Sequence, residues 1–295
     1  MEKETIEKYV QAGKIAADAL AYGKSLIKSG AKVIDVLDKV EERIIAAGGG
    51  LAFPAQISLN EVAAHYCSAL NDATILNQQL VKLDVGVEID GYIADCALTV
   101  DLSGKNARLV EASEKALAAA LKIVKPGVSL GEIGKVIQET ITSYGFAPIK
   151  NLGGHGLDQY NIHSHPSIPN FDNGNKNVLE EGMVIAIEPF ASTGAGVVQE
   201  SSPATVFHLV EERGIRDPIT RNVLREIKSY KGLPFTSRWL ERKFGAAKTA
   251  FALRQLLNFN CLYDHPPLID QNRGLVSQAE HSVIVLEKPI VFTRV

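Results

Sequence analysis

The order of elements along this chain predicts an α+β fold of two related halves, on three observations. Helical periodicity near 3–28 and 33–47 is followed by β-like runs near 56–59, 80–88 and 92–101. The same order returns, with helices near 106–124 and 130–144 before strands near 148–153 and 183–189. Runs of helices ahead of runs of strands belong to an α+β layout rather than to alternating βαβ units. The third observation is an internal repeat. Gly30-Ala-Lys-Val-Ile-Asp-Val-Leu-Asp-Lys-Val-Glu matches Gly127-Val-Ser-Leu-Gly-Glu-Ile-Gly-Lys-Val-Ile-Gln at a constant separation of 97 residues, and each copy runs on to Ala-Phe-Pro or Phe-Ala-Pro before β sequence.

Residues 203–262 break this pattern. Segments from Asp217, Thr236 and Ala246 read as three helices, so 203–262 is expected to be a helical insertion, with 1–202 and 263–295 forming the main domain. The β pattern returns at Leu275-Val-Ser-Gln-Ala-Glu-His-Ser-Val-Ile-Val-Leu, read as one strand. The insertion holds eleven basic residues, Arg238, Arg242 and Lys243 among them, against five acidic ones in a chain of net charge −3. Its net +6 makes it the one segment whose charge suits phosphate contacts.

With 295 residues the chain can bury a sizeable core. Its overall charge argues against general or sequence-specific nucleic-acid binding. Cys67, Cys96 and Cys261 cannot all pair and have no CxxC spacing, which fits a reduced, cytoplasmic protein. The opening Met-Glu-Lys-Glu-Thr-Ile-Glu-Lys has no apolar signal core, and no run reaches the roughly 18 apolar residues of a membrane span. No membrane partner is expected.

Five dispersed side chains carry the chemistry. Leu83 to Val100 reads as two β-runs joined by Asp90-Gly91, a strong two-residue turn signal. If Ile89 faces Tyr92, then Asp84 faces Ala97 and Asp95 faces Gly86, all four on one face. The two aspartates become diagonal neighbours, roughly 7–8 Å apart at Cα, and their carboxylates can hold two metal ions about 3.5–4 Å apart. Glu280 sits within an apolar strand and Glu188 follows the apolar Met183-Val-Ile-Ala-Ile. A buried carboxylate needs a compensating cation, either a metal ion or a Lys or Arg partner. His155 lies in the glycine-rich Asn151-Leu-Gly-Gly-His-Gly, read as a loop, with His163 eight residues on and His65 in Asn60-Glu-Val-Ala-Ala-His-Tyr. Carboxylates with one neutral imidazole suit divalent Mn, Fe, Co or Zn.

Asn60-Glu-Val-Ala-Ala-His-Tyr, Leu83-Asp-Val-Gly-Val-Glu-Ile-Asp-Gly-Tyr-Ile-Ala-Asp, Gly153-Gly-His, Ile162-His, Ala186-Ile-Glu-Pro-Phe and Gln278-Ala-Glu-His stand in the order of the motifs of the methionine aminopeptidases. Nearly the whole chain resembles that family. The long segment between Glu188 and Glu280, and a start directly in catalytic-domain sequence, are similar to the archaeal type II form. The resemblance implies a "pita-bread" α+β fold with pseudo-twofold halves, matching the 97-residue repeat. It implies a metal set in which Asp84 binds one of two divalent ions, Asp95 and Glu280 bridge both, and His155 with Glu188 binds the other. A metal-bridged hydroxide would attack the carbonyl after an N-terminal methionine whose neighbour is small, with Glu188 moving the proton. His65 and His163 would hydrogen-bond the scissile peptide, and Phe53 and Ile162 would line the methionine pocket. His208 aligns loosely with a pocket histidine of some members. The substrates would be nascent polypeptide N-termini, with the basic insertion available for docking on ribosomal RNA. The alternatives are an X-Pro peptidase, which shares a similar ligand set, and a metal-free binding module on the same scaffold.

Overall fold

The computed structural model of the chain describes residues 1–294. In the first half, strands β1 (Gln56–Leu59), β2 (Leu80–Ile89) and β3 (Tyr92–Asp101) form an antiparallel sheet. At the β2–β3 turn Asp90 and Gly91 both take positive φ, 52° and 86°. A primed two-residue turn requires this, and Asp-Gly tolerates it. The register runs from Ile89↔Tyr92 through Gly86↔Asp95 and Asp84↔Ala97, the pairing expected from the turn.

Two helices cover this sheet. Helix α1 (Lys3–Leu26) presents the small buried residues Ala12, Gly13, Ala16, Ala19 and Gly23. They let its axis lie close to β2 and β3. Helix α2 (Val33–Ala46) buries Val33, Val36, Leu37, Val40 and Ile44, the i, i+3, i+4 stripe of a core-facing helix. Each aliphatic side chain so buried contributes about 1.5–3 kcal/mol.

The second half repeats the scheme with α3 (Ala107–Ile123), α4 (Leu130–Ser143) and strands β4 (Gly154–Asp158), β5 (Asn161–Ile168) and β6 (Val184–Ile187). The halves also share local bonding. Gly30 N donates to Leu76 O and Gly127 N to Leu179 O, while Leu76 N donates to Ala31 O and Leu179 N to Val128 O, all at 2.8 Å. The repeat is therefore written in backbone hydrogen bonds, not only in amphipathic spacing.

Beyond β6 come β7 (Val206–Leu209), α5 (Pro218–Ser229), β8 (Phe235–Thr236), α6 (Ser237–Phe244), α7 (Ala246–Asn258) and β9 (Leu262–His265). The chain then returns through β10 (Val276–Gln278) and β11 (His281–Ile284). Strand β11 pairs with β6, which pairs with β4, which pairs with β5. The run from Leu275, expected as one strand, is thus interrupted at Ala279-Glu280. There Glu280 N leaves the ladder to donate to Ala97 O at 3.0 Å, and Ser282 Oγ accepts from Asp95 N at 2.9 Å and donates to Asp95 O at 2.7 Å. These bonds stitch the two sheets together along one seam.

The strand expected over 148–153 is confined to Ala147–Pro148, and His155 lies on β4 rather than in a loop. Its flanking glycines serve close packing. A Cβ on Gly154 would lie 2.2 Å from Ala186 O of β6, and one on Gly156 would lie 2.1 Å from His165 O of β5. Lys82, 1% exposed on β2, donates to Asn60 O and Val276 O at 2.9 Å each and braces β2 against β10.

The segment from β7 to β9 has its own apolar cluster, including Phe207, Val223, Ile227, Phe235, Leu240, Leu256 and Leu262. Its basic residues are only partly the free surface that their number implies. Arg238 is 0% exposed and bonds Asp38 and Glu41 of α2, Arg242 bonds Asp38, and Lys243 bonds Glu226. Trp239 Nε1 donates to Glu41 Oε2 at 2.9 Å. This buried network fastens α6 to α2. Replacing Arg238 with methionine leaves Asp38 its bond to Arg242 but strips the buried Glu41 of its charged partner, and we expect a loss of about 3–5 kcal/mol. Urea unfolding reads this directly; a variant within 1 kcal/mol of wild type, by the same order-of-magnitude reckoning, would show that the pair is solvated.

Candidate metal centre

Asp84 and Asp95 project from the β2–β3 hairpin, His155 from β4, Glu188 from the residue after β6, and Glu280 from the break between β10 and β11. All five line one cavity of about 300 Å³. His155 Nε2 lies 3.6 Å from Asp95 Oδ2 and 3.7 Å from Glu188 Oε1. Its Nδ1 sits 3.2 Å from Gly156 O, so Nδ1–H donates there and Nε2 faces the carboxylates as a lone pair. Ligand atoms of Asp95, His155 and Glu280 lie within 4.8 Å of one another. Gln278 Nε2 lies 3.4 Å from both Asp84 Oδ2 and Glu188 Oε2.

Burial dominates the electrostatics. Desolvation, opposed by hydrogen bonding from Gln278, pushes the Asp84 carboxyl up to about 7. Desolvation and then the neighbouring carboxylates push Asp95, Glu188 and Glu280 well above their usual range. Burial drives His155 down to about 4, holding it neutral. Asp84 Oδ1, Asp95 Oδ1 and Glu280 Oε1 are buried without a hydrogen-bond partner. Unpartnered buried carboxylate oxygens call for a cation. No lysine or arginine stands among the residues lining the cavity, so the compensation that a basic side chain could have supplied is missing there. The donor set therefore fits hard divalent metal ions.

The rest of the lining divides by chemistry. Phe53, Leu152, Ile162, Val206 and Pro234 are among the apolar members; His65, His163, His165 and His265 are imidazoles, beside the polar Gln56, Ser164 and Ser167. Phe53 fits because the partner of Asp95 is Gly86, where a Cβ would fall 2.1 Å from Phe53 Cε1. His65 is half-buried with φ of 67°, a strained conformation for a residue with a Cβ and one that persists where surrounding structure enforces it. Desolvation lowers His65 to about 4, His163 still further and His265 to about 3. The His163 ring centroid lies 4.7 Å from that of His155.

His208, expected in the pocket, does not line this cavity. It follows Val206 by two residues on β7, about 7 Å further along the strand, and reaches His265 instead, Nδ1 to Nε2 at 2.8 Å. His265 and Gln278 were not foreseen as site residues. Gln278 lies in a motif beside Glu280 and its position was a usable signal; His265, in Tyr-Asp-His-Pro-Pro, carries none.

Comparison with known proteins places this geometry. The model of metallopeptidase family M24 matches residues 7–216. The chain belongs to metallopeptidase family M24. It is 42% identical to the methionine aminopeptidase of Methanocaldococcus jannaschii, over 99% of both chains. It is 45% identical to that of Thermococcus onnurineus, over 95% of this chain and 96% of the relative. Among solved structures it resembles the methionine aminopeptidase of Thermotoga maritima with a TM-score of 0.73 at 24% identity, covering 100% of this chain and 98% of that one. Against the Pyrococcus furiosus prolidase the TM-score is 0.65 at 20% identity, covering 100% of this chain and 65% of the prolidase. Fold alone is shared with these M24 structures, and it is the pita-bread architecture expected above. Sequence places the chain with the archaeal methionine aminopeptidases rather than the X-Pro peptidases.

The raised carboxyls and lowered imidazoles have opposite consequences for stability. A carboxyl whose pKa is raised on folding stabilises below its unfolded value, and that stability is lost as pH rises through the folded value. The imidazoles contribute above their unfolded value of about 6.5 and lose stability below it. Above about pH 6.5 the carboxyl effect is opposed only by Lys82, which burial lowers to about 7 and which adds stability as pH rises, one group against several carboxyls. Metal-free protein should therefore lose Tm as pH rises from about 6.5 to 8.5, and saturating divalent metal should restore most at the alkaline end. A metal-free Tm that climbs over this range would contradict the burial of these groups.

Proposed function

We propose that the chain removes the N-terminal methionine from nascent proteins whose second residue is small. The observation that carries this reading is the convergence of Asp84, Asp95, His155, Glu188 and Glu280 in one cavity that also has an apolar wall. These five side chains hold two divalent ions of the cobalt, manganese, iron or zinc type. When bound, the ions make water nucleophilic near neutral pH and polarise the substrate carbonyl.

The chain's own residues do the rest. Glu188, steadied by Gln278, accepts the proton of the attacking water and returns it to the leaving amine. His65 and His163, kept neutral by desolvation in the cavity, donate hydrogen bonds to the scissile peptide where negative charge develops. Phe53, Ile162 and Val206 receive the methionine side chain.

Cleavage of tripeptides tests the reading. Met-Ala-Ser should be cleaved, Leu-Ala-Ser much more slowly, and Ala-Pro-Ala not at all. Equal rates on the first two would remove the specificity. Glu280→Ala should lose bound metal, whereas His65→Ala should keep it and lose roughly 10²–10³ in kcat, the worth of one transition-state donor. Metal loss in His65→Ala as well would overturn this division of roles.

The same reading includes a cytoplasmic setting, supported by three free, buried cysteines, and no helix among the described residues is long and apolar enough to cross a membrane. Recovery of the native protein in a membrane or secreted fraction would remove that part. Docking on ribosomal RNA runs through exposed cations that form no ion pair within the described residues, Arg221, Arg225, Lys248 and Arg254 among them, rather than through Arg238. Ribosome co-sedimentation should weaken steeply with salt and drop when these four are reversed to glutamate; binding indifferent to both would exclude phosphate contacts.

A further inference from the structure

His265 ends β9 directly opposite Val206 of β7, in the same cavity as Phe53, Ile162 and Pro234. It brings a polar ring to an otherwise apolar wall. Its Nε2 lies 2.8 Å from His208 Nδ1, so one of these nitrogens donates and the other accepts. The rings of His65 and His163, the pair assigned above to the scissile peptide, stand 5.5 and 6.2 Å from it between centroids. Tyr263 packs against both members of the pair, 5.5 Å from His208 and 5.2 Å from His265. Burial lowers His265 to about 3 and lowers His208 as well, so the two rings stay neutral and each carries one proton.

We propose that His265 is a specificity-determining residue that recognises the thioether sulfur of the substrate's first side chain through its Nδ1–H, and that His208 positions it by fixing this tautomer. The inference rests on the aminopeptidase reading. If His208 Nδ1–H donates, His265 Nε2 is the acceptor and its proton must sit on Nδ1. Nδ1 makes no hydrogen bond with the protein among the described residues. The opposite tautomer would present an acceptor to a side chain that has no donor. Methionine sulfur is a weak acceptor able to take the N–H; a saturated chain of the same length offers nothing.

Methionine and norleucine have nearly the same shape and differ at the sulfur, so Met-Ala-Ser and norleucyl-Ala-Ser isolate the contact. His265→Phe should lower the Met-to-norleucine ratio of kcat/KM by about fivefold, the worth of one neutral hydrogen bond. His265→Asn, which keeps an amide donor near Nδ1, should retain the ratio. His208→Leu should lower it in the same direction as His265→Phe, and carries the test if the phenylalanine variant fails to fold by circular dichroism. A ratio unchanged in His265→Phe and His208→Leu, or equal losses on both peptides, overturns the assignment. Wild-type protein that cleaves neither peptide would instead remove the aminopeptidase reading on which it rests.

Discussion

Burying four carboxylates around one histidine is the constraint to which the rest of the molecule answers. Asp84, Asp95, Glu188 and Glu280 stand together away from water, with three of their oxygens lacking any hydrogen-bond partner. Like charges in a poorly solvated space repel strongly. Local rigidity is needed to keep them there. The hairpin register holds the two aspartates, Ser282 clasps the backbone of Asp95 on both its N–H and C=O, and Glu280 is anchored through its own N–H to Ala97. Gln278 spans the gap between Asp84 and Glu188. Cations held by these side chains would relieve the repulsion and so tie the stability of the fold to its chemistry in a metallopeptidase of the M24 family.

The cavity beside the acids has a different character. Desolvation lowers the pKa values of His65, His163 and His265 and keeps them neutral, and a neutral imidazole can donate from one nitrogen while accepting at the other. Gly156 O meets Nδ1 of His155 and sets its tautomer, while His265 and His208 share one hydrogen bond between their rings. An apolar wall with a few oriented donors is how a site binds an uncharged side chain and still discriminates at a single atom.

Two mechanical arrangements support this centre. The halves bring equivalent helix pairs and turns to opposite sides of the seam, with matching hydrogen bonds at Gly30 and Gly127. The β7–β9 segment contributes Val206, Pro234 and His265 to the cavity. Its placement relative to α2 depends on Arg238 with Asp38 and Glu41. Charge that reads as surface in composition is here spent on an internal clamp.

Much of the centre was legible in the sequence because it obeys local rules. Asp90-Gly91 dictates a turn, the turn dictates register, and alternation then puts Asp84 and Asp95 on one face. The 97-residue repeat and the helix boundaries follow from periodicity within single segments. His155 was recognised but assigned to a loop, because its glycines read as flexibility when they permit strands to crowd together. Sequence was silent where partners are remote: Gln278 and Asp84 are 194 residues apart, Arg238 and Asp38 200, and His208 and His265 57. No local pattern records which strands become neighbours across such separations. The sequence by itself determined the ligand types, the hairpin and the paired halves. Only the tertiary structure decided which imidazoles line the cavity, which glutamine joins the acids and which arginine is buried, since those follow from packing between distant segments rather than from spacing along the chain.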